Sequence, residues 1–400
     1  MFSRRTSWNL TPNAFTRALE AHRREGGELL DLTASNPTQA GLRYDRQAIL
    51  AALASPDGLK YHPEPKGLLS AREAVAGYYR DQEGANAGSG LSGGDAPISA
   101  GSIFLTVSTS EAYSFVFRLL CNPDDEILAP TPSYPLFEFL AGLQDVNLVP
   151  YLLFYDHGWH IDFHSLEKAL TPRTRAIILV HPNNPTGSYV SRSEAEQLNA
   201  LCRRRDLALV VDEVFLDYSL RGRQFSFAFN RAALTFTLSG ISKISGLPQM
   251  KLAWLAASGP EPLLLPAISR LEMIADTYLS QNAPIQHAAP ALLAQRHGIR
   301  EQLSARVGVN LAELDRQLAA PSLASRLEVD GGWYVVLRVP AARSDEEFAI
   351  ALLEKRNVLV QPGYFYDFHA DGYLVLSLIT PEEEFAEGAR RMLEFLKIGN

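Results

Sequence analysis

Four short segments carry residue types that do chemistry when held in the right place. The first is Ser239–Trp254, SGISKISGLPQMKLAW, where Lys243 follows an apolar run and sits among Gly240, Ser242, Ser245 and Gly246. A lysine amine acts as a Schiff-base nucleophile in a tight pocket, and small neighbours let backbone approach a planar cofactor. A solvated lysine after a strand has the same local sequence. The second segment is Val210-Val211-Asp212-Glu213. An acid ending an apolar run lands at the carboxyl edge of a sheet, where Asp212 can pair with a protonated ring nitrogen. An ordinary acidic strand end looks no different. The third is His181–Gly187, HPNNPTG, whose Asn-Pro and Thr-Gly pairs make a loop whatever the function. There Asn184 is a candidate donor to a cofactor oxygen. The fourth is STSE at Ser108–Glu111. Ser108, Thr109 and Ser110 put hydroxyl and N–H groups at a helix start, which suits a phosphate and suits plain N-capping equally.

These segments need strands to hold them. Apolar runs recur at 103–107, 126–129, 147–153, 176–181, 208–215, 234–241 and 252–257. They are nearly continuous rather than alternating, as strands buried on both faces are. Helical stretches such as 111–120 and 191–205 lie between most of them, and Ser191 with Glu194 has capping-box spacing. The expectation is an α/β fold: a three-layer large domain with a mostly parallel seven-stranded sheet, plus a smaller α+β domain. In such sheets ligands gather at the carboxyl ends of the strands. The texture changes near residue 282. A long helix over 286–318 is expected, then a strand-like 326–339 broken at Gly331-Gly332. The division follows as 48–282 for the large domain, with 1–47 and 283–400 in the small one.

Composition narrows the function classes. The chain has 400 residues and a net charge of −8, with no basic block, which argues against nucleic acid as a main partner. Cys121 and Cys202 lack metal-ligand spacing and read as two separate thiols. No run approaches a membrane span, and the N-terminus lacks a signal-type apolar core, so a cytoplasmic setting is expected. Gly88, Gly90 and Gly93 spell G-x-G-x-x-G, but no apolar strand precedes them. They read as a surface loop rather than a nucleotide fingerprint.

Each signal is modest alone, but their order is specific. With Pro132-Ser133-Tyr134, Asn184-Pro185-Thr186-Gly187, Asp212, Lys243, Gly331-Gly332-Trp333 and Pro362-Gly363, nearly the whole chain resembles the class I/II aminotransferases. These are pyridoxal-phosphate (PLP) enzymes of fold type I. The resemblance implies that Lys243 carries PLP and Asp212 holds its ring nitrogen. It implies that Tyr134 stacks on the ring and that Asn184 donates to the phenolic oxygen. Ser108, Thr109, Ser110, Ser242 and Lys251 then surround the phosphate. It also implies a homodimer, with Tyr61 of YHPEPKG reaching the partner's phosphate. An amino donor and a keto acceptor are the implied partners.

Several positions depart from the family pattern. Phe215 stands where the family has a tyrosine, Lys251 replaces an arginine, and Gly240 replaces a serine. Lysine keeps the charge but loses the bidentate fork. In GYLVLSL, Val375 occupies the position of the arginine that grips a substrate carboxylate. Arg338 and Arg43 are the candidate replacements, and a substrate lacking that carboxylate is the alternative. Other PLP chemistry, as in a β-lyase, decarboxylase or racemase, stays open. So does a non-enzymatic PLP-binding module.

Overall fold

The computed structural model describes residues 1–82, 98–222 and 224–397. The Gly88–Gly93 stretch lies outside the described residues. In chain order the strands are β1 (Leu30–Asp31), β2 (Ile103–Thr106), β3 (Glu126–Thr131), β4 (Asn147–Tyr155), β5 (Trp159–Ile161), β6 (Thr174–Val180) and β7 (Ala208–Asp212). They continue with β8 (Thr235–Gly240), β9 (Ala253–Ser258), β10 (Ser325–Arg326), β11 (Tyr334–Arg338), β12 (Val358–Leu359), β13 (Gln361–Pro362) and β14 (Tyr373–Ser377).

The large sheet has the order β2-β9-β8-β7-β6-β3-β4-β5. Strands β4, β3, β6, β7 and β8 pair in parallel, while β9 runs antiparallel between β2 and β8. Seven strands coincide with the seven apolar runs. The eighth, β5, returns from β4 through a turn in which the Asp156 N–H donates to Gly158 O at 2.8 Å. Three residues are too few to show a period, which is why the seven-stranded expectation falls one short. Continuous apolar composition has a direct cause here. Along β7, Val210 packs into the core on one face of the sheet and Val211 into the core on the other.

Helix ends follow the local chemistry. Ser108 caps the helix Thr109–Leu120 by accepting the Glu111 N–H at 3.2 Å, and Ser191 with Glu194 forms the capping box of Arg192–Arg205. The expected helix over 286–318 is two helices, Ala283–Ala294 and Arg296–Leu318. The first aims Ile285, Ala288 and Leu292 at the core around Trp254 and Tyr79. The second aims Ile299, Leu303 and Val307 at the core around Trp333 and Val336. The two helices turn their apolar stripes toward different cores, and Gln295 separates them. Residues 283–294 therefore pack with the large sheet's helices. Cys121 and Cys202 are both free thiols.

The smaller sheet runs β10-β11-β14-β13, all antiparallel. In the N-terminal segment β1 pairs in parallel with β12 as a separate two-stranded sheet, Leu30 opposite Val358, and the Ser377 N–H of β14 donates to Leu32 O at 2.7 Å. The two halves meet glycine against glycine. Gly187 has φ +71°, and a Cβ there would sit 2.4 Å from Gly331 O. A Cβ on Gly331 would sit 2.7 Å from Tyr218 O. Backbone bonds seal the contact: the Asp330 N–H donates to Gly187 O at 3.2 Å and the Gly332 N–H to Tyr218 O at 2.9 Å. Gly187→Ala combines left-handed strain of about 1–2 kcal/mol with that clash. Thermal and denaturant unfolding are expected to show a loss of at least about 2 kcal/mol, and an unchanged midpoint would contradict this account of the interface.

Candidate active site

Parallel strands deliver the chemistry to one edge. Asp212 ends β7, Lys243 lies three residues beyond β8, Asn184 four beyond β6 and Tyr134 three beyond β3. Asp212 and Lys243 are close enough that each shifts the other's ionisation.

The Asp212 carboxylate is buried. One oxygen accepts the Tyr113 hydroxyl at 3.2 Å and the other the Val214 N–H at 3.1 Å. Burial pushes its pKa up to about 6, against the Val214 and Tyr113 hydrogen bonds and the Lys243 charge. The Lys243 amine is pushed down to about 8 by burial, with the Asp212 charge opposing. Relative to an ordinary lysine, its neutral, nucleophilic fraction near neutral pH rises by roughly two orders of magnitude. Its Nζ lies 3.4 Å from Ser35 O, 4.9 Å from the Trp333 ring centroid and 5.5 Å from that of Phe215. Phe215 thus faces the amine as a ring without a hydroxyl.

Around this pair the other expected residues fall into place unevenly. Tyr134 is partly exposed, set edge-on to Phe137 at 5.8 Å, and its hydroxyl feels burial first and then the Asp212 charge. The Ser133 hydroxyl donates to Asn183 Oδ1 at 2.9 Å, and Asn183 Nδ2 donates to Pro132 O at 3.0 Å. The Tyr134 and Asn184 loops are locked together in this way. Asn184 Oδ1 is buried with no partner among the described residues. A buried polar atom of this kind asks for a ligand.

At the helix start, Ser108 spends its hydroxyl on the cap, and the N–H groups of the first turn have no intrahelical acceptor. Lys251 is exposed at φ 52°. Its carbonyl and that of Thr106 both accept Gln281 Nε2, each at 2.7 Å, which pins the Lys251 turn beside the end of β2. Ser242 sits in the short helix Ile241–Ile244 immediately before Lys243. Gly240 has a packing reason: a Cβ would meet Ala253 Cβ at 2.9 Å and Leu252 O at 3.0 Å. A serine there would force β8 and β9 apart. Tyr61 is 83% exposed, on a turn whose neighbours include Ser280 and Gln281.

Sequence reasoning missed Tyr113, Ser35 and Tyr334. Tyr113 lies on the helix capped by Ser108, so it had a positional signal. Ser35 and Tyr334 come from the small-sheet half and had none. Of the two candidate cations, Arg43 is exposed with its N–H on Gln302 at 2.8 Å, and Arg338 is exposed over the Tyr373 ring at 5.7 Å. Asp212 is the charge that acts on Lys243.

The donor set fits a flat, protonated heterocycle bearing a phosphate. A buried carboxylate has only neutral donors and one cation, a partly neutral lysine stands beside it, and a helix N-terminus opens nearby.

Comparison with known proteins agrees. The aminotransferase class I and II profile matches residues 27–392. The chain is 25% identical to the glutamate-pyruvate aminotransferase AlaA of Haemophilus influenzae, over 93% of this chain and 91% of that one. It is 28% identical to an alanine aminotransferase of Mycobacterium tuberculosis, over 93% and 86%. It is 27% identical to the arginine–pyruvate transaminase AruH of Pseudomonas aeruginosa, over 96% and 93%. In fold it superposes on an alanine aminotransferase from Pyrococcus furiosus with a TM-score of 0.85, at 22% identity and full coverage of both chains. The chain belongs to the class I and II aminotransferases, enzymes that use pyridoxal phosphate.

Proposed function

We propose that this aminotransferase moves an amino group from an amino acid or related amine to a short keto acid, with Lys243 as the proton-moving base. One observation carries the reading. A lysine amine with lowered pKa and a buried carboxylate share one sheet edge, each feeling the other's charge. Relatives named for alanine, glutamate–pyruvate and arginine–pyruvate transfer support pyruvate as the acceptor. The donor carbon is oxidised to a carbonyl while the acceptor's carbonyl carbon is reduced to the amine, so the exchange needs no further oxidant.

PLP, when bound, supplies an electron sink for the pair released at the substrate carbon. The chain's residues do the rest. With PLP bound, the Asp212 carboxylate would hold the proton on the ring nitrogen. Tyr134 would cover a ring face, and the Asn184 amide N–H would donate to the phenolic oxygen. The N–H groups after Ser108, with Thr109, Ser110, Ser242 and Lys251, would neutralise the phosphate. Lys243 takes a proton from the substrate carbon and returns it, as general base and then acid.

A homodimer and a cytoplasmic setting belong to the same reading. Tyr61 and Met273 are 83% and 70% exposed, and Leu59, Leu69, Leu263, Leu265 and Tyr278 are exposed as well. Most lie on the helix Glu261–Tyr278 or the segment tied to it by the Lys66–Glu272 ion pair. Exposed apolar side chains in this number suit an interface. Among the described residues no helix is long and apolar enough to cross a membrane.

Lys243→Ala is expected to abolish both turnover and borohydride-dependent attachment of PLP to the chain. PLP still fixed to that variant by borohydride would disprove the assignment.

The pKa of Lys243 also predicts a stability effect in the cofactor-free protein. Its folded pKa of about 8 lies below the ordinary lysine value of 10.5. The folded state therefore binds fewer protons between these values, and its penalty is fully present below about pH 8 and fades toward 10.5. Cofactor-free Lys243→Met should melt higher than wild type at pH 7, by on the order of 1–3 kcal/mol, with the gap closing as pH rises. A gap that widens with pH contradicts this.

Met273→Glu places a charge among these exposed apolar side chains. Sedimentation is expected to show a shift from dimer to monomer, and an unaffected dimer would place the interface elsewhere.

A further inference from the structure

The wall across from Lys243 is one face of the small sheet. Along it, Tyr334 stands opposite Ser377, and Val336 stands opposite Val375, which in turn faces Gln361. Residues directly opposite in an antiparallel pair share a face, as do residues two apart. The inner end of this face is fixed at the site. The Ser377 hydroxyl donates to Ala34 O, Tyr334 bonds the Ser35 side chain, and Lys243 Nζ donates to Ser35 O.

Every polar group on the inner part of this face is neutral. The Tyr366 hydroxyl bonds Gln361 Oε1, and Gln361 Nε2 has no partner among the described residues. Tyr366, Tyr334 and Tyr134 lie near enough to influence each other electrostatically. Burial holds the Tyr334 and Tyr366 hydroxyls protonated. The nearest cation on the face is Arg338, opposite Tyr373. That is one side-chain row beyond Val375, about 7 Å further out, and its head rests on Tyr373.

We propose that Gln361, Tyr334 and Tyr366 form an uncharged subsite that holds the substituent beside the substrate's amine. It acts by neutral hydrogen bonds where Val375 leaves no charge. This rests on the aminotransferase reading above and names its specificity. A carboxylate held by a cation gains a charge-assisted pair that a carboxamide cannot make, and the two are then told apart by tenfold or more. A site of neutral donors serves both groups, so charge discrimination is lost while preference for a polar group over a methyl is kept.

The test uses the PLP-loaded enzyme and follows the cofactor's absorbance change with L-alanine, L-alaninamide and isopropylamine. The expected kcat/KM values for the acid and the amide lie within about tenfold of each other, and both exceed that for isopropylamine. Gln361→Leu and Tyr334→Phe should each raise KM for acid and amide about threefold to tenfold, with kcat and the resting spectrum little changed. Raising salt should leave KM for L-alanine nearly constant. A preference for L-alanine over its amide above about a hundredfold, untouched by Gln361→Leu and weakened by salt, overturns the subsite and assigns the carboxylate to a cation. Equal rates for all three amines overturn it by showing no substituent recognition. Binding of PLP with no response to any amine overturns the aminotransferase reading itself, and the subsite with it.

Discussion

Everything at the site follows from burying an acid and a base together where water is scarce. Burial raises the Asp212 carboxyl to about 6 and lowers the Lys243 amine to about 8, while their mutual attraction works against both shifts. At neutral pH each group stays charged by a margin of only about one unit, or about 1.4 kcal/mol. Such a pair is poised: a small change in surroundings neutralises either member. The fold maintains it through rigid supports rather than charge. Tyr113 and the Val214 N–H hold the carboxylate. Trp333, Phe215 and Ser35 O surround the amine.

The large-sheet half of this arrangement was legible because its signals are local. An apolar run gives a strand, and the polar residue after it falls at the sheet's carboxyl edge. Local sequence placed Asp212, Asn184, Lys243 and Ser108 at that edge, and the family resemblance gave them their expected roles. The small-sheet half was not legible by the same route. Ser35 precedes β11 by some three hundred residues, and nothing local marks it as a neighbour of Lys243. The break between Ala294 and Arg296 was hidden for a related reason. Helical periodicity says that a stripe exists, not which core it faces. β5 was hidden because three residues cannot display a period.

Two departures from the family pattern have compensations within the chain. Gly240 is required by the approach of β9, so the missing serine is the consequence of a packing choice. Phe215 packs edge-on against Trp333 at 5.2 Å, and Trp333 meets Tyr218 at 5.1 Å. The ring thus still joins the large-sheet loop to the small-sheet half by aromatic contact. Aromatic pairs of this geometry add about 0.5–1.5 kcal/mol beyond their buried area.

That contact binds specificity to architecture. Trp333 follows Gly332 directly, and Gly331 is the residue against which Gly187 closes. The next residue, Tyr334, begins β11 and reaches Ser35. Within four consecutive positions the chain seals the two halves, walls the lysine and places a hydroxyl at its rim. Moving the small sheet by an ångström would shift all three at once, because packed interiors transmit displacement rather than absorb it. A substrate that presses on the Tyr334 face must therefore also press on the Gly187–Gly331 seam. The seam between the two halves and the wall beside Lys243 are therefore built from the same four residues.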